Sequence, residues 1–221
     1  YGGGMTSTLT ETAVATALER MYAESAEQRG AWAGIDRSVF ANGTAQERAD
    51  AADEIYMPIS PDAGKLMYSL IRAAKPEAVV EFGMSYGVST IHLAAAVRDN
   101  GSGHVYTTEL SAKKIAAATA TFTELGLSDV ISVLEGDALE TLRGVDAPVG
   151  VVLMDGWKEM YLPVLGVLEP KLVAGSIVVA DNTSRADTQP YLDRVRDPAN
   201  GYVSLNFPGK GDDTMELSCR V

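Results

Sequence analysis

Val151-Val152-Leu153-Met154-Asp155-Gly156-Trp157-Lys158 and Ser176-Ile177-Val178-Val179-Ala180-Asp181-Asn182 decide the fold of this chain. Each is an uninterrupted apolar run of strand length that ends abruptly in polar residues. Strands buried on both faces read as continuous apolar runs, as they do in parallel sheets covered by helices. In open α/β sheets ligands bind in the crevice beyond the carboxyl ends of the strands. The two runs therefore predict two carboxylates (Asp155 and Asp181), an amide (Asn182) and an amine (Lys158) at one sheet edge, a set suited to a hard divalent cation with a base beside it.

Outward from these runs the chain alternates. Strands are expected at Ala78 to Phe82, His104 to Thr108, Val130 to Leu134, Val149 to Met154 and Ser176 to Ala180, with amphipathic helices between them. Two closing strands near Tyr202 to Asn206 and Thr214 to Cys219 have no helix between them and predict an antiparallel hairpin on one edge. The fold class is α/β, a Rossmann-like doubly wound sheet of seven strands, mostly parallel with an antiparallel edge, preceded by N-terminal helices. Leu9, Val14, Leu18, Met21 and Tyr22 recur at helical spacing from Thr8 to Arg29, and a second helix is expected from Thr44 to Glu54. Two prolines break regular structure across Tyr56 to Pro61, and Ser60-Pro61-Asp62 opens the next helix. The expected organisation is a helical cap over residues 5–56 and a core over 57–221, with Tyr1 to Gly4 resembling a cloning scar.

Composition narrows the function. The net charge is −12, which disfavours a sequence-independent nucleic-acid binder and suits an enzyme of small molecules. No membrane-length apolar run is present, and one cysteine, Cys219, excludes an internal disulfide framework, so a cytoplasmic location is expected. His92 and His104 read as packing or surface residues.

The stretch Glu81-Phe82-Gly83-Met84-Ser85-Tyr86-Gly87-Val88-Ser89-Thr90 ends the first strand and begins a helix, whose N-terminus attracts an anionic group. Its glycines are spaced Gly-x-x-x-Gly, without the central glycine that lets a backbone approach a pyrophosphate, which disfavours a dinucleotide. Glu109 ends the second strand, where an acidic side chain accepts hydrogen bonds from ribose hydroxyls. Asp137 follows the third strand, where an adenine edge is read. An adenosine carrying an amino-acid tail is the ligand these positions suggest.

With Met57-Pro-Ile-Ser-Pro-Asp-Ala-Gly64, Glu81-Phe-Gly-Met-Ser-Tyr-Gly87-Val-Ser89, Glu109, Asp155-Gly-Trp157-Lys158 and Asp181-Asn182 in this order, the chain resembles class I S-adenosylmethionine-dependent O-methyltransferases of the catechol and caffeoyl-CoA type. The resemblance runs from about Met57 to Asn206. It implies that Ser89 and the backbone around Ile59 hold the methionine carboxylate, Gly83 and Ser85 line the methionine and ribose, and Glu109 binds the ribose. It puts Met57 near the transferred methyl and Ala138 and Trp157 near the adenine, with Glu81, Gly87, Asp137 and Asp155 completing the cofactor set. It also implies Mg²⁺, or another divalent cation, on Asp155, Asp181 and Asn182, with Lys158 as general base and Lys158, Asn182 and Asn206 contacting a phenolic or catechol-like substrate. A dication favours the phenolate and disfavours protonation of a nearby amine.

The pattern departs where substrate is chosen. Asn206, or nearby Asp212, falls where catechol enzymes have a glutamate, Thr183-Ser184-Arg185-Ala186 differs from an apolar, proline-containing gate, and Gly156 replaces a bulkier residue. Competing expectations are a metal-independent methyltransferase, a noncatalytic S-adenosylmethionine sensor and a dinucleotide oxidoreductase. The apolar face of the Thr8 to Arg29 helix is expected either to cover the active site or to pair two subunits as a homodimer.

Overall fold

The computed structural model describes residues 7–28, 30 and 37–221; Tyr1 to Gly4 and Arg29 lie outside them. Seven strands form one sheet in the order β3-β2-β1-β4-β5-β7-β6. They are β1 (Ala78–Phe82), β2 (His104–Glu109), β3 (Ile131–Glu135), β4 (Val149–Met154), β5 (Leu172–Ala180), β6 (Tyr202–Pro208) and β7 (Thr214–Arg220). β1 to β5 are mutually parallel, and β7 runs antiparallel to both β5 and β6. The closing hairpin thus forms one edge, with β6 outermost.

Alternation of side chains sorts the central strands into two cores. Val79, Val105, Val151, Leu153 and Val179 face one layer of helices, while Val80, Val152, Met154, Val178 and Ala180 face the other. The first layer holds α4 (Pro61–Ala74), α5 (Val88–Asn100) and α6 (Ala112–Glu124); the second holds α7 (Ala138–Thr141), α8 (Tyr161–Leu168) and α9 (Gln189–Arg196). These labels leave α1 to α3 for the N-terminal helices. The start of α4 follows directly from Ser60-Pro61: the Ser60 side chain accepts the Ala63 N–H, and Pro61 takes a position whose N–H is not needed.

The N-terminal helix begins later than its apolar spacing suggests. Ser7 caps a 3₁₀ turn at Thr8–Thr10, and α1 runs from Thr12 to Glu27. The Asp99 carboxylate at the end of α5 pins this turn by accepting from Thr8 N–H, the Thr8 hydroxyl and the Tyr68 hydroxyl. Val14, Leu18 and Met21 are buried in the same core as Met67, Ile71 and Ile91. The apolar face of α1 is buried against its own chain.

Two short helices follow, α2 (Arg37–Asn42) and α3 (Ala45–Ala51). Sequence periodicity misses α2, which is too short to develop a repeating apolar face. A capping box starts α3: Thr44 and Glu47 satisfy each other's backbone N–H groups. Cys219 is only partly buried on β7, where a fully buried residue is expected from its apolar neighbours. Among the described residues no helix is long and apolar enough to cross a membrane.

Candidate active site

The parallel ladder carries straight into the site. Beyond the strand ends Asp155 N–H donates to Phe82 O (2.8 Å), and Asp181 N–H donates to Met154 O (3.0 Å). These bonds hold the ends of β1, β4 and β5 in register, so Asp155 and Asp181 leave neighbouring strands at one level. They line a cleft of about 810 Å³ together with Asn182, Lys158, Trp157, Gly83, Ser85, Glu109, Asp137, Ala138 and Met57. The residues expected to converge from six separate segments share one cavity.

At the end of β2, the Glu109 carboxylate is held by backbone. One oxygen accepts from Ser85 N–H (2.8 Å), and the other accepts from Leu110 and Ser111 N–H (both 2.9 Å). Ser85 has φ 50°, a left-handed conformation that aims its N–H at Glu109 and leaves its hydroxyl buried with no partner. Asp137 caps α7 by accepting Leu139 N–H (2.8 Å) while still lining the cleft.

Five expected residues take other positions. Glu81 is fully buried and does not line the cleft; Thr90 and Thr107 donate to one of its oxygens, and the other has no partner. Burial raises its pKa, opposed by those hydroxyls and Ser89. Gly87 lies off the cleft as well. Its φ of 87° and the Phe122 ring, 2.6 Å from where a Cβ would sit, require glycine for packing against α6. Ile59 is a core residue, and Ser89 lines a small recess beside the main cleft. Asn206 is outside the cleft: it lies opposite Glu216 in the hairpin and donates to Thr183, Met215 O and Glu216.

At the β4 and β5 ends, charge is drawn partly out of water: Asp181 is buried, and Asp155 and Lys158 are half-buried. Lys158 Nζ lies 3.3 Å from Asp155 Oδ1 and donates to Tyr161 Oη at 2.8 Å. The Tyr161 hydroxyl faces the carbonyls of Met154 (2.7 Å) and Asp181 (2.9 Å), so its oxygen is fixed at the joint between β4 and β5. Burial raises the Asp155 pKa to about 7, against the attraction of Lys158 and with a contribution from Asp181. Burial also raises Asp181, which Lys158 partly offsets. Removing carboxylates from water is costly unless a counter-charge accompanies them.

Asn182 has φ 57° and donates its amide to Asp213 (3.1 Å), which leaves the amide oxygen as the free end of that side chain. Burial would raise Asp213, but hydrogen bonds from Ser184, Thr214 and Asn182 hold its pKa below the ordinary carboxylate value. The buried carboxylate of Asp181, the half-buried one of Asp155 and an amide oxygen are hard donors that fit Mg²⁺. Among the described residues no group of three or more His, Cys, Asp or Glu is placed to hold a metal, so the amide is an essential member of any such set.

The walls include residues that sequence reasoning missed. Phe40 of α2 packs 5.8 Å from Trp157, and the Arg48 guanidinium of α3 lies 5.2 Å over the same indole while pairing with Glu159. Gly156 is open only because the Phe82 ring fills its side: a Cβ there would lie 2.5 Å from that ring. Lys114, Arg185, Lys210 and Asp213 also line the cleft. Asp213 rather than Asp212 is the acid that the β6–β7 loop brings in.

A profile described as a methyltransferase domain matches residues 80–183. Among curated relatives, catechol O-methyltransferase B of Danio rerio is 25% identical over 174 residues, 73% of this chain and 65% of that protein. The catechol O-methyltransferase of Mycobacterium tuberculosis is 30% identical over 138 residues, 62% of each chain. These matches thus span slightly under two thirds of the relatives' own lengths. The solved O-methyltransferase of Bacillus cereus in complex with S-adenosylhomocysteine shares the fold with a TM-score of 0.68 at 20% identity, covering 92% of this chain and 100% of that one. With Glu109, Asp155-Gly-Trp157-Lys158 and Asp181-Asn182 gathered at its strand ends, the chain carries a methyltransferase domain over residues 80–183 and is similar in sequence to catechol O-methyltransferases.

Proposed function

We propose that the protein moves the methyl group of S-adenosylmethionine to a hydroxyl of a phenolic or catechol-like small molecule, with Mg²⁺ bound by Asp155, Asp181 and Asn182. The observation that carries this reading is the hydrogen-bonded cluster of Lys158, Asp155 and Tyr161, whose first two members line the cleft that also contains Glu109. A cytoplasmic location goes with it, since both ligands are soluble small molecules.

In this reading Glu109 accepts the ribose hydroxyls, Met57 lies along the methyl, and Ser89 and the backbone near Ile59 take the methionine carboxylate. Trp157 and Ala138 flank the adenine. When bound, the divalent ion supplies charge stabilisation to the ionised acceptor oxygen. Lys158 Nζ takes the hydroxyl proton, with Asp155 and Tyr161 holding the amine in place. The acceptor oxygen forms its bond to the methyl carbon as the carbon–sulfur bond breaks, leaving neutral S-adenosylhomocysteine. A phenolic hydroxyl has a pKa near that of tyrosine, roughly 10, so removal of its proton is the step that most needs help at neutral pH. The remaining acceleration comes from holding the two reactants in line in a site walled off by Phe40, Trp157 and Arg48.

The test is a methyl-transfer assay over a panel of vicinal-diol and hydroxyphenyl acceptors, with Mg²⁺ and after exhaustive chelation. Turnover that requires the ion supports the proposal. Full turnover in the chelated enzyme removes the metal from it, and S-adenosylhomocysteine binding with no turnover on any acceptor removes the catalysis.

A further inference from the structure

Lys114 is the buried cation that the reading above leaves without a role. It stands in the first turn of α6 at 2% exposure and lines the cleft beside Glu109. Among the described residues its ammonium has no hydrogen-bond or ion-pair partner; it lies over the face of Tyr86, 5.6 Å from the ring centre. Its neighbour Lys113 does find a partner, pairing with Glu54 on the rim. A buried ammonium without acceptors has lost its water and received little in return. Burial accordingly pushes its pKa down to about 8, opposed by the carboxylates of Glu109 and Asp53.

The chemistry of the neighbouring carboxylate says what fills this gap. Glu109 can only accept, and three backbone N–H groups already orient it. A hydroxyl that donates its proton to Glu109 still has lone pairs that need a donor. Lys114 has three N–H groups and no acceptor. A vicinal diol seated between the two would satisfy both at once. We propose that Lys114 is a cofactor-binding residue that donates a hydrogen bond to a ribose hydroxyl whose own proton is given to Glu109, so that the site selects a ribonucleoside over its deoxy counterparts. This rests on the cofactor reading above and adds a specificity residue to it.

The groups facing Lys114 from the packed elements are Glu109 at the end of β2, Asp53 after α3, and Tyr86 in the β1–α5 turn, whose hydroxyl donates to Asp53 O (2.6 Å). A loss of ligand affinity in mildly alkaline solution that Lys114→Met abolishes would report Lys114.

The test is calorimetric titration of S-adenosylhomocysteine and its 2′-deoxy and 3′-deoxy ribose analogues into the wild-type chain, Lys114→Met and Lys114→Arg. Hydrogen bonds to charged groups lead us to expect Lys114→Met to weaken S-adenosylhomocysteine binding by about tenfold or more, with Lys114→Arg restoring much of it. At least one deoxy analogue should lose much less further affinity in Lys114→Met than in wild type. Wild-type affinity for the ribose ligand should also fall as pH is raised from about 7 to about 10, and Lys114→Met should lack that fall. Equal deoxy penalties in wild type and Lys114→Met would overturn the proposal while leaving the cofactor reading intact. If Lys114→Met does not fold, identical pH slopes for the ribose and deoxy ligands in wild type overturn it instead. Failure of the wild-type chain to bind S-adenosylhomocysteine at all would remove the cofactor reading with it.

Discussion

The two ends of the cleft are built on opposite electrostatic principles. At the β2 end, Glu109 sits partly exposed in a nest of three backbone N–H groups, so its charge is met within the fold. At the β4 and β5 ends, Asp155 is half-buried and Asp181 buried, and burial raises the pKa of both despite the attraction of Lys158 and, for Asp181, of Lys210 as well. One end is preorganised for a ligand that brings hydroxyls. The other is strained by its own charge and is relieved by a ligand that brings positive charge. On the proposed function, binding and chemistry are separated along one sheet edge, and substitutions at the two ends should fail in different ways.

The sharpest contrast is kinetic. Lys158→Ala should lower turnover by about a hundredfold to ten-thousandfold, the range for loss of a general base, while S-adenosylhomocysteine affinity stays within about tenfold. Steady-state kinetics beside calorimetry checks this. A rise in KM alone would make Lys158 a substrate contact and break the division.

Glu109→Gln should do the reverse, weakening S-adenosylhomocysteine by about tenfold to a hundredfold through loss of a charged acceptor while saturated turnover changes little. Unchanged affinity would mean that the nest at the β2 end serves the loop rather than a ligand.

A third contrast lies in pH and stability. The folded pKa of Asp155 is raised from 3.8 to about 7, so between those values the folded state binds more protons than the unfolded state. Stability of the metal-free protein should therefore fall as pH rises through that window, and Asp155→Asn should flatten the fall. Lys114 has the opposite sign. Its folded pKa is lowered to about 8, so the unfolded state holds the proton longer and stability contributed by this group rises from there towards 10.5. Denaturant melts across pH in the two variants separate them. Identical profiles in wild type and Asp155→Asn would show that the acceptor end carries no such strain.

A smaller effect tests the packing beneath the site. Gly156→Ala should cost about 1–3 kcal/mol, since the new methyl meets the Phe82 ring, and Phe82→Leu should recover part of it. Additive losses in thermal melts would remove this coupling. Phe82 and Gly156 thus offer a physical reason for the missing bulk beside Asp155: the aromatic ring on β1 occupies that space.

What was legible in the sequence followed local rules. Apolar runs ending in Asp155 and Asp181-Asn182 announced buried parallel strands and their ligand edge, because the same residues that bury a strand leave the next polar residue at its end. Glu109 and the Ser60-Pro61 helix start were legible for similar reasons. Asn206 was not, because its orientation depends on the β6–β7 register, which sets it opposite Glu216 and lets the loop deliver Asp213 instead. Gly87 was legible as a glycine turn, yet its reason is the distant Phe122 ring. Lys114 carried a usable signal that went unread: Lys114, Ala118 and Phe122 follow at four-residue spacing, and all three are buried, so the lysine stands on the apolar stripe of α6.

Titration of Mn²⁺, as a paramagnetic stand-in for Mg²⁺, followed by electron paramagnetic resonance tests the central claim most directly, because it reads the acceptor end without needing the natural acceptor. The expected result is one bound ion per chain that Mg²⁺ displaces, lost in Asp155→Ala and Asp181→Ala and retained in Asn206→Ala. Binding that survives in both aspartate variants, or no binding to the wild-type chain, would contradict the account.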